Sequence, residues 1–177
     1  DTRVTLKLLN HFGVSRPLIS YFEHNKRERG EVICARLLAG KNGVLVTDAG
    51  MPAISDPGED LVALCHERGI PVGVVPGPTA VATALAVAGL PTGRFCFEGF
   101  LSVNKRSRRE HLDSLRGETR TMVFYEAPHK LPATLRDLAE TFGDRPVALV
   151  RELTKIHEEV IRTTLEAAAR RFAAEPP

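Results

Sequence analysis

Apolar positions along the chain alternate between two rhythms. Within residues 4–12, Leu6, Leu9 and Phe12 recur at helical spacing, and Gly13 supplies the left-handed position at which helices commonly end. The run PLISYF (17–22) then reads as a short strand. A second helix is expected over 31–39, with Val32, Cys34, Ala35 and Leu38 inward and Gly40 closing it, followed by the uninterrupted apolar strand GVLVT (43–47). Residues 59–68 place Leu61, Val62, Leu64 and Cys65 on one helical side and stop at Gly69; IPVGVV (70–75) and an alanine-rich helix (80–88) complete the first half. Strands apolar on both faces, alternating with helices, predict a mostly parallel sheet covered by helices.

Around Pro91 to Arg94 the pattern changes, so the boundary between two α/β domains is expected there, at 1–91 and 92–177. FCFEGFL (95–101) reads as a strand, followed by a basic stretch and a helix through about Leu115. TMVFYEA (121–127) is a strand, and Leu131, Leu135, Leu138 and Phe142 mark a helix closed by Gly143. PVALVREL (146–153) is the last expected strand, and Thr164 is expected to cap a final helix over 165–172.

Composition narrows the class. Of 177 residues, 43% are hydrophobic and 26% charged, as in ordinary globular proteins, and no apolar run approaches the roughly 18 residues of a membrane span. The net charge of +2 is uninformative as a sum, because its distribution is uneven. Cys34, Cys65 and Cys96 stand singly in or beside apolar segments, which fits buried thiols in a reducing cytoplasm. No signal peptide opens the chain, and its first residue is Asp, so the start of a longer protein is expected to precede it.

Three loops follow apolar strands: TDAGMPAISDPG (47–58), PGPTA (76–80) and YEAPHK (125–130). Open α/β sheets bind ligands outside such strand ends, so one pocket can collect all three. The first loop, twelve residues long, exceeds the two to six that a plain strand-to-helix connection needs. Gly50 and Gly77 let the backbone approach a ligand, while Pro52, Pro57, Pro76 and Pro78 stiffen the bends. PGPTA alone reads more readily as a tight turn than as a binding loop. Dinucleotide (GxGxxG), phosphate-loop (GxxxxGK[ST]), HExxH and GxSxG patterns are missing, as is any metal-ligand Cys/His spacing. The expected occupant is an uncharged or zwitterionic small molecule, and no metal site is expected.

The ordered strings VTDAGMPAISDPG, PGPTAVATALAVAGLP, FEGFL, FYEAPHK and RELTK, with the opening DTR and His24-Asn25, resemble the ribosomal RNA small-subunit methyltransferase I group of the tetrapyrrole (corrin/porphyrin) methylase superfamily. The resemblance covers nearly the whole chain. It implies an S-adenosylmethionine-dependent enzyme that methylates a cytidine 2′-hydroxyl in the decoding region of 16S rRNA, within the small ribosomal subunit. It also implies a cytoplasmic homodimer of two α/β domains, the second with a mixed sheet, and a cofactor cleft between them. Ala49, Gly50, Met51, Ile54 and Ser55 would line the cofactor wall, braced by Asp48 and Asp56, with Pro76, Gly77, Thr79, Phe124 and Tyr125 completing it. Members of the group usually carry Thr at the position of Met51, Pro at that of Ser102, and Ser-Pro-His-Arg at Ala127–Lys130. They also have a first strand and helix ahead of DTR and final strands beyond residue 177, which leaves both domains short of elements in this chain.

Methyl transfer to a ribose oxygen requires in-line alignment and help for a weak nucleophile. Glu126 and Glu152 are the candidate proton acceptors, and Arg151 and Lys155 the candidate cations for a phosphate or a developing oxyanion. An Arg-Glu ion pair bracing the domain interface is the plainer alternative for each of them. His24, His129 and His157 are further possible bases. Between Asn104 and Arg120 lie Lys105, Arg106, Arg108, Arg109, Arg116 and Arg120, whose front half, NKRSRR, suits phosphate contact without base stacking. A corrin or sirohaem precursor methylase and a non-catalytic RNA-binding module remain open alternatives.

Overall fold

The computed structural model describes residues 2–175. Two compact units divide the chain, Asp1–Thr79 and Ala80–Pro177.

Among the described residues, the first unit holds three helices, α1 (Thr2–His11), α2 (Lys26–Leu38) and α3 (Glu59–Glu67). Helix α2 begins five residues ahead of the expected start, because the charged segment KRERG joins its first turns. Its Gly30 is buried, and an added Cβ there would lie 3.4 Å from Leu64 Cδ2, so the absent side chain allows α2 to seat against α3. Cys34 and Cys65 meet in that seam with sulfurs 3.9 Å apart, among Leu61 and Ile70. Both are free thiols, and burial pushes the Cys34 thiol above its ordinary range.

The strands expected at 17–22, 43–47 and 70–75 do not form as ladder-paired strands among the described residues. Apolar runs report a demand for cover, whereas a strand also needs a hydrogen-bonded neighbour along its edge. Here the demand is unmet: Val44 and Val75 are each 87% exposed, and Val46, Val72 and Val74 also stay exposed.

The second unit begins with α4 (Ala80–Ala88), which packs on the later strands of that unit. Strands β1 (Phe95–Phe100) and β2 (Thr121–Tyr125) pair in parallel, linked through α5 (Lys105–Ser114), with a register shift between Phe97 and Gly99. A single 3-10 turn, Pro128–Lys130, leads into α6 (Leu131–Phe142), which ends at Gly143 with φ 71°. Strands β3 (Pro146–Arg151) and β4 (Glu159–Thr164) form a separate antiparallel pair, and α7 (Leu165–Ala174) follows. Leu101, Leu112, Leu135, Leu138, Leu165, Ala168 and Phe172 make the core of this unit. Leu135, 1% exposed, contributes on the order of 2–3 kcal/mol by burial.

Strand β4 has no counterpart in the sequence expectation. Its EVIRTT pattern mixes charge with β-branched residues, and it gains its order from the six-residue register with β3. The cap of α7 also differs. Thr164 makes no side-chain cap bond; instead Asp144 Oδ1 accepts from Glu166 N at 3.0 Å. Bonds from the Thr164 side chain and that amide hold the Asp144 carboxyl below its ordinary value.

Candidate active site

Within the first unit, the 47–58 loop is shaped by local bonds. Thr47 Oγ1 donates to Asp56 Oδ2 at 2.6 Å, tying the two ends of the loop. Gly50 has φ 74°, a conformation that suits glycine. Gly58 has φ 155°, and an added Cβ there would lie 2.7 Å from Leu45 Cδ2 and 2.9 Å from Ala53 Cβ.

The loop meets the PGPTA segment directly. A Cβ on Gly50 would stand 3.3 Å from the Pro78 carbonyl oxygen, and one on Gly77 would stand 3.4 Å from Met51 Sδ. Two bends poor in side chains therefore converge, with backbone facing backbone. Asp48, Ala49, Gly50, Ile54, Ser55, Pro76 and Gly77 are exposed, while Met51 and Thr79 are half-buried. The surface at the convergence is polar backbone flanked by the Met51 thioether, a lining suited to a small zwitterion.

In the second unit, the end of β2 divides its aromatic pair. Phe124 packs on the core, and Tyr125 lies edge-on to Phe97 and Phe100, with ring centroids 4.9 and 5.5 Å away. Strand alternation sends successive side chains to opposite faces, so only Tyr125 of the two joins this aromatic group beside exposed Phe100.

The four candidate chemical residues fall into two places. Glu126 is 10% exposed at its side chain. Its Oε1 accepts from Ala127 N at 2.8 Å and its Oε2 from Thr134 Oγ1 at 2.6 Å. Arg151, Glu152 and Lys155 instead share the exposed end of the β3–β4 hairpin. Arg151 Nε donates to Glu159 Oε2 at 2.6 Å across the ladder, and Lys155 Nζ to Glu152 Oε1 at 3.1 Å. The connecting turn is strained, with φ 52° at Glu152 and 64° at Thr154, and Thr154 N donates to Glu158 Oε2 at 2.6 Å.

The basic stretch folds into α5. Asn104 caps it, its Oδ1 accepting from Arg106 N and Ser107 N at 3.0 and 3.1 Å. Lys105 is exposed, and the Arg106 and Arg109 side chains are 88% and 83% exposed. Each of these arginines has a carboxylate one turn on, Glu110 or Asp113. The basic pattern assigns Arg108 to the same RNA-facing set, but its side chain is only 16% exposed and bonds inward to Asp137 and Thr134. Arg116 pairs with Asp113, and Arg120 with Glu118, whose carboxyl is held at about 2 by that guanidinium.

Thr134 and Asp137 were not singled out by sequence. The available signal was Thr134 itself, a polar residue on the face shared by Leu131, Leu135 and Leu138. Glu98 and His111, joined at 2.8 Å, were missed as well, since nothing in sequence pairs a strand residue with one on the following helix.

The family model for tetrapyrrole (corrin/porphyrin) methylases matches residues 3–169. A ribosomal RNA small subunit methyltransferase I of Synechocystis sp. is 51% identical across 100% of this chain, which spans 64% of that protein's length. A protein of the same name from Thermotoga maritima is 46% identical across 100% of the chain and 79% of its own length. The X-ray structure of a cobalamin biosynthetic enzyme, cobalt precorrin-4 methyltransferase, superposes with a TM-score of 0.59 at 21% identity, covering 93% of this chain and 71% of that one. Motif order, a matched span reaching almost end to end, and a shared α/β architecture place this chain in the tetrapyrrole (corrin/porphyrin) methylase family.

Proposed function

We propose that the chain is an S-adenosylmethionine-dependent methyltransferase acting on 16S rRNA in the small ribosomal subunit, at the 2′-hydroxyl of a cytidine in the decoding region. The observation that carries the cofactor assignment is the close approach of the Gly50 and Pro78 backbones, where an added Cβ would stand 3.3 Å from the Pro78 carbonyl oxygen. The names and identities of the Synechocystis and Thermotoga relatives support the RNA substrate.

When bound, the cofactor supplies a methyl group activated by a sulfonium. Gly50, Met51, Pro76 and Gly77 would hold its edge, with Asp48, Ala49, Ile54, Ser55 and Thr79 around them in the first unit. Rigid bends lower the cost of ordering such a site. Lys105, Arg106 and Arg109 would anchor RNA phosphates. Among the chemical candidates, Glu152 is 47% exposed and stands beside Lys155, an arrangement able to accept a ribose proton near a compensating cation. Arg151 would hold a phosphate at the same hairpin, whereas Glu126, with both oxygens engaged, would brace. The reading includes a homodimer in the bacterial cytoplasm. No helix among the described residues is long and apolar enough to cross a membrane.

Calorimetry with S-adenosylmethionine, followed by tritium-methyl transfer to 30S subunits and to a tetrapyrrole precursor, tests this reading. Heat of binding and label in 16S rRNA are expected. Label only in the tetrapyrrole would assign the chain to small-molecule methylation, and binding of RNA without cofactor heat would make it a binding module.

A further inference from the structure

Helix α5 has two chemically opposite faces. Lys105, Arg106 and Arg109 project outward, while Arg108 turns into the unit. Arg108 Nε donates to Asp137 Oδ2 at 2.6 Å and its Nη2 to Thr134 Oγ1 at 2.8 Å, two acceptors one helical turn apart on α6. Thr134 is buried, at 3% exposed. Its hydroxyl takes that bond on a lone pair and gives its own proton to Glu126 Oε2 at 2.6 Å, so donor and acceptor capacities are both used. Glu126 Oε1 then accepts the Ala127 amide at 2.8 Å. A continuous polar chain thus runs from the basic helix, through α6, to the backbone of the segment that follows β2.

The fork of a guanidinium is needed for this. Asp137 and Thr134 are reached by different nitrogens of one planar group, a geometry that a lysine ammonium cannot reproduce. Two carboxylates, Glu126 and Asp137, face the single cation, which therefore stays on them instead of leaving for a phosphate.

We propose that Arg108 is a positioning residue for methyl transfer. It holds the RNA-facing helix and the 126–130 segment in one rigid frame, through Thr134 and Glu126, and does not itself contact RNA. This inference rests on the proposed methyltransferase reading. RNA docked on the outer face of α5 is then delivered at a fixed offset from the 126–130 segment, and misalignment there costs turnover before it costs affinity.

The test compares Arg108→Lys and Thr134→Val with Arg106→Ala, using tritium-methyl transfer to 30S subunits and hydrogen exchange at the Ala127 amide. Arg108→Lys and Thr134→Val should each lower kcat at least tenfold, with KM for 30S and its salt slope near wild type, and should speed exchange at Ala127. Arg106→Ala should raise KM and flatten the salt slope while leaving that amide protected. Thr134→Ser keeps the hydroxyl and should restore turnover, which separates positioning from general destabilisation. A salt slope flattened by Arg108→Lys as much as by Arg106→Ala, or Thr134→Ser as slow as Thr134→Val, would overturn the inference. Should the wild-type chain transfer no methyl group to 30S, the functional reading fails. The positional claim is then judged on Ala127 exchange, and unchanged exchange in Thr134→Val would refute it.

Discussion

Replacing Gly50 with alanine isolates the physical basis of the proposed cofactor cradle. Residue 50 has φ 74°, and a left-handed conformation costs an L-residue roughly 1–2 kcal/mol. The new Cβ would also stand 3.3 Å from the Pro78 carbonyl oxygen, a backbone atom that must give by a few tenths of an ångström. In the free protein both strains relax if the two loops separate, and the ligand must then bring them back together. An affinity loss of about 2 kcal/mol follows, on the order of 30-fold in Kd. Calorimetry with S-adenosylhomocysteine measures it.

Two controls make the number interpretable. Gly13 has φ 64° with nothing within 4 Å of an added Cβ, so Gly13→Ala carries the conformational cost without the contact and should leave affinity unchanged. Gly77 lacks the positive φ and meets only the mobile thioether of Met51 at 3.4 Å. Gly77→Ala should therefore move Kd by less than about threefold, the ordinary range for a compatible substitution. Wild-type affinity in Gly50→Ala, or an equal loss in Gly13→Ala, would refute the argument.

Leu135→Ala removes a side chain 1% exposed in the second unit's core and should cost about 2–5 kcal/mol, read as a shift in urea midpoint without a change in slope. Simultaneous Lys105→Ala, Arg106→Ala and Arg109→Ala should reduce the slope of log affinity against log salt by about 2–3 on duplex or single-stranded RNA, while cofactor heat stays unchanged. Asp144→Ala should lower the thermal midpoint by a few degrees through loss of the α7 cap. Because Asp144 is held below its ordinary 3.8, its contribution is present above that pH and fades as pH falls through the folded value, so the wild-type and variant midpoints should converge in acid. Glu118 behaves likewise: its folded value of about 2 means that its pairing with Arg120 persists above 4.5 and is lost only as pH approaches 2, a titration that carboxyl NMR shifts report.

Much of the second unit was legible because its signals are local. Gly143 closes α6 where the leucine period stops, and FCFEGF and TMVFY are apolar strands flanking a single helical crossover through α5. The first unit shows the limit of the same reasoning. GVLVT and IPVGVV carry the apolar signal of central strands, yet a ladder depends on a second segment that the run itself does not specify. Arg108 illustrates a third limit. It stands between Arg106 and Arg109 in a uniform basic string, and only the helical period, combined with Thr134 and Asp137 on another helix, turns it inward. The convergence of the two glycine bends was readable from their shared position after apolar runs, although those runs do not pair.

The hairpin end between Arg151 and Glu159 has a mechanical consequence. Glu152 and Thr154 both occupy left-handed backbone, storing on the order of 1–2 kcal/mol apiece, while Ile156 beside them is 95% exposed and gains nothing from burial. The peptide there behaves as a cocked spring clamped by the rungs of β3 and β4 below it. Any agent that loosens the last rung, Arg151 against Glu159, releases the tip ahead of the rest of the unit, so its opening can be tuned independently of global unfolding.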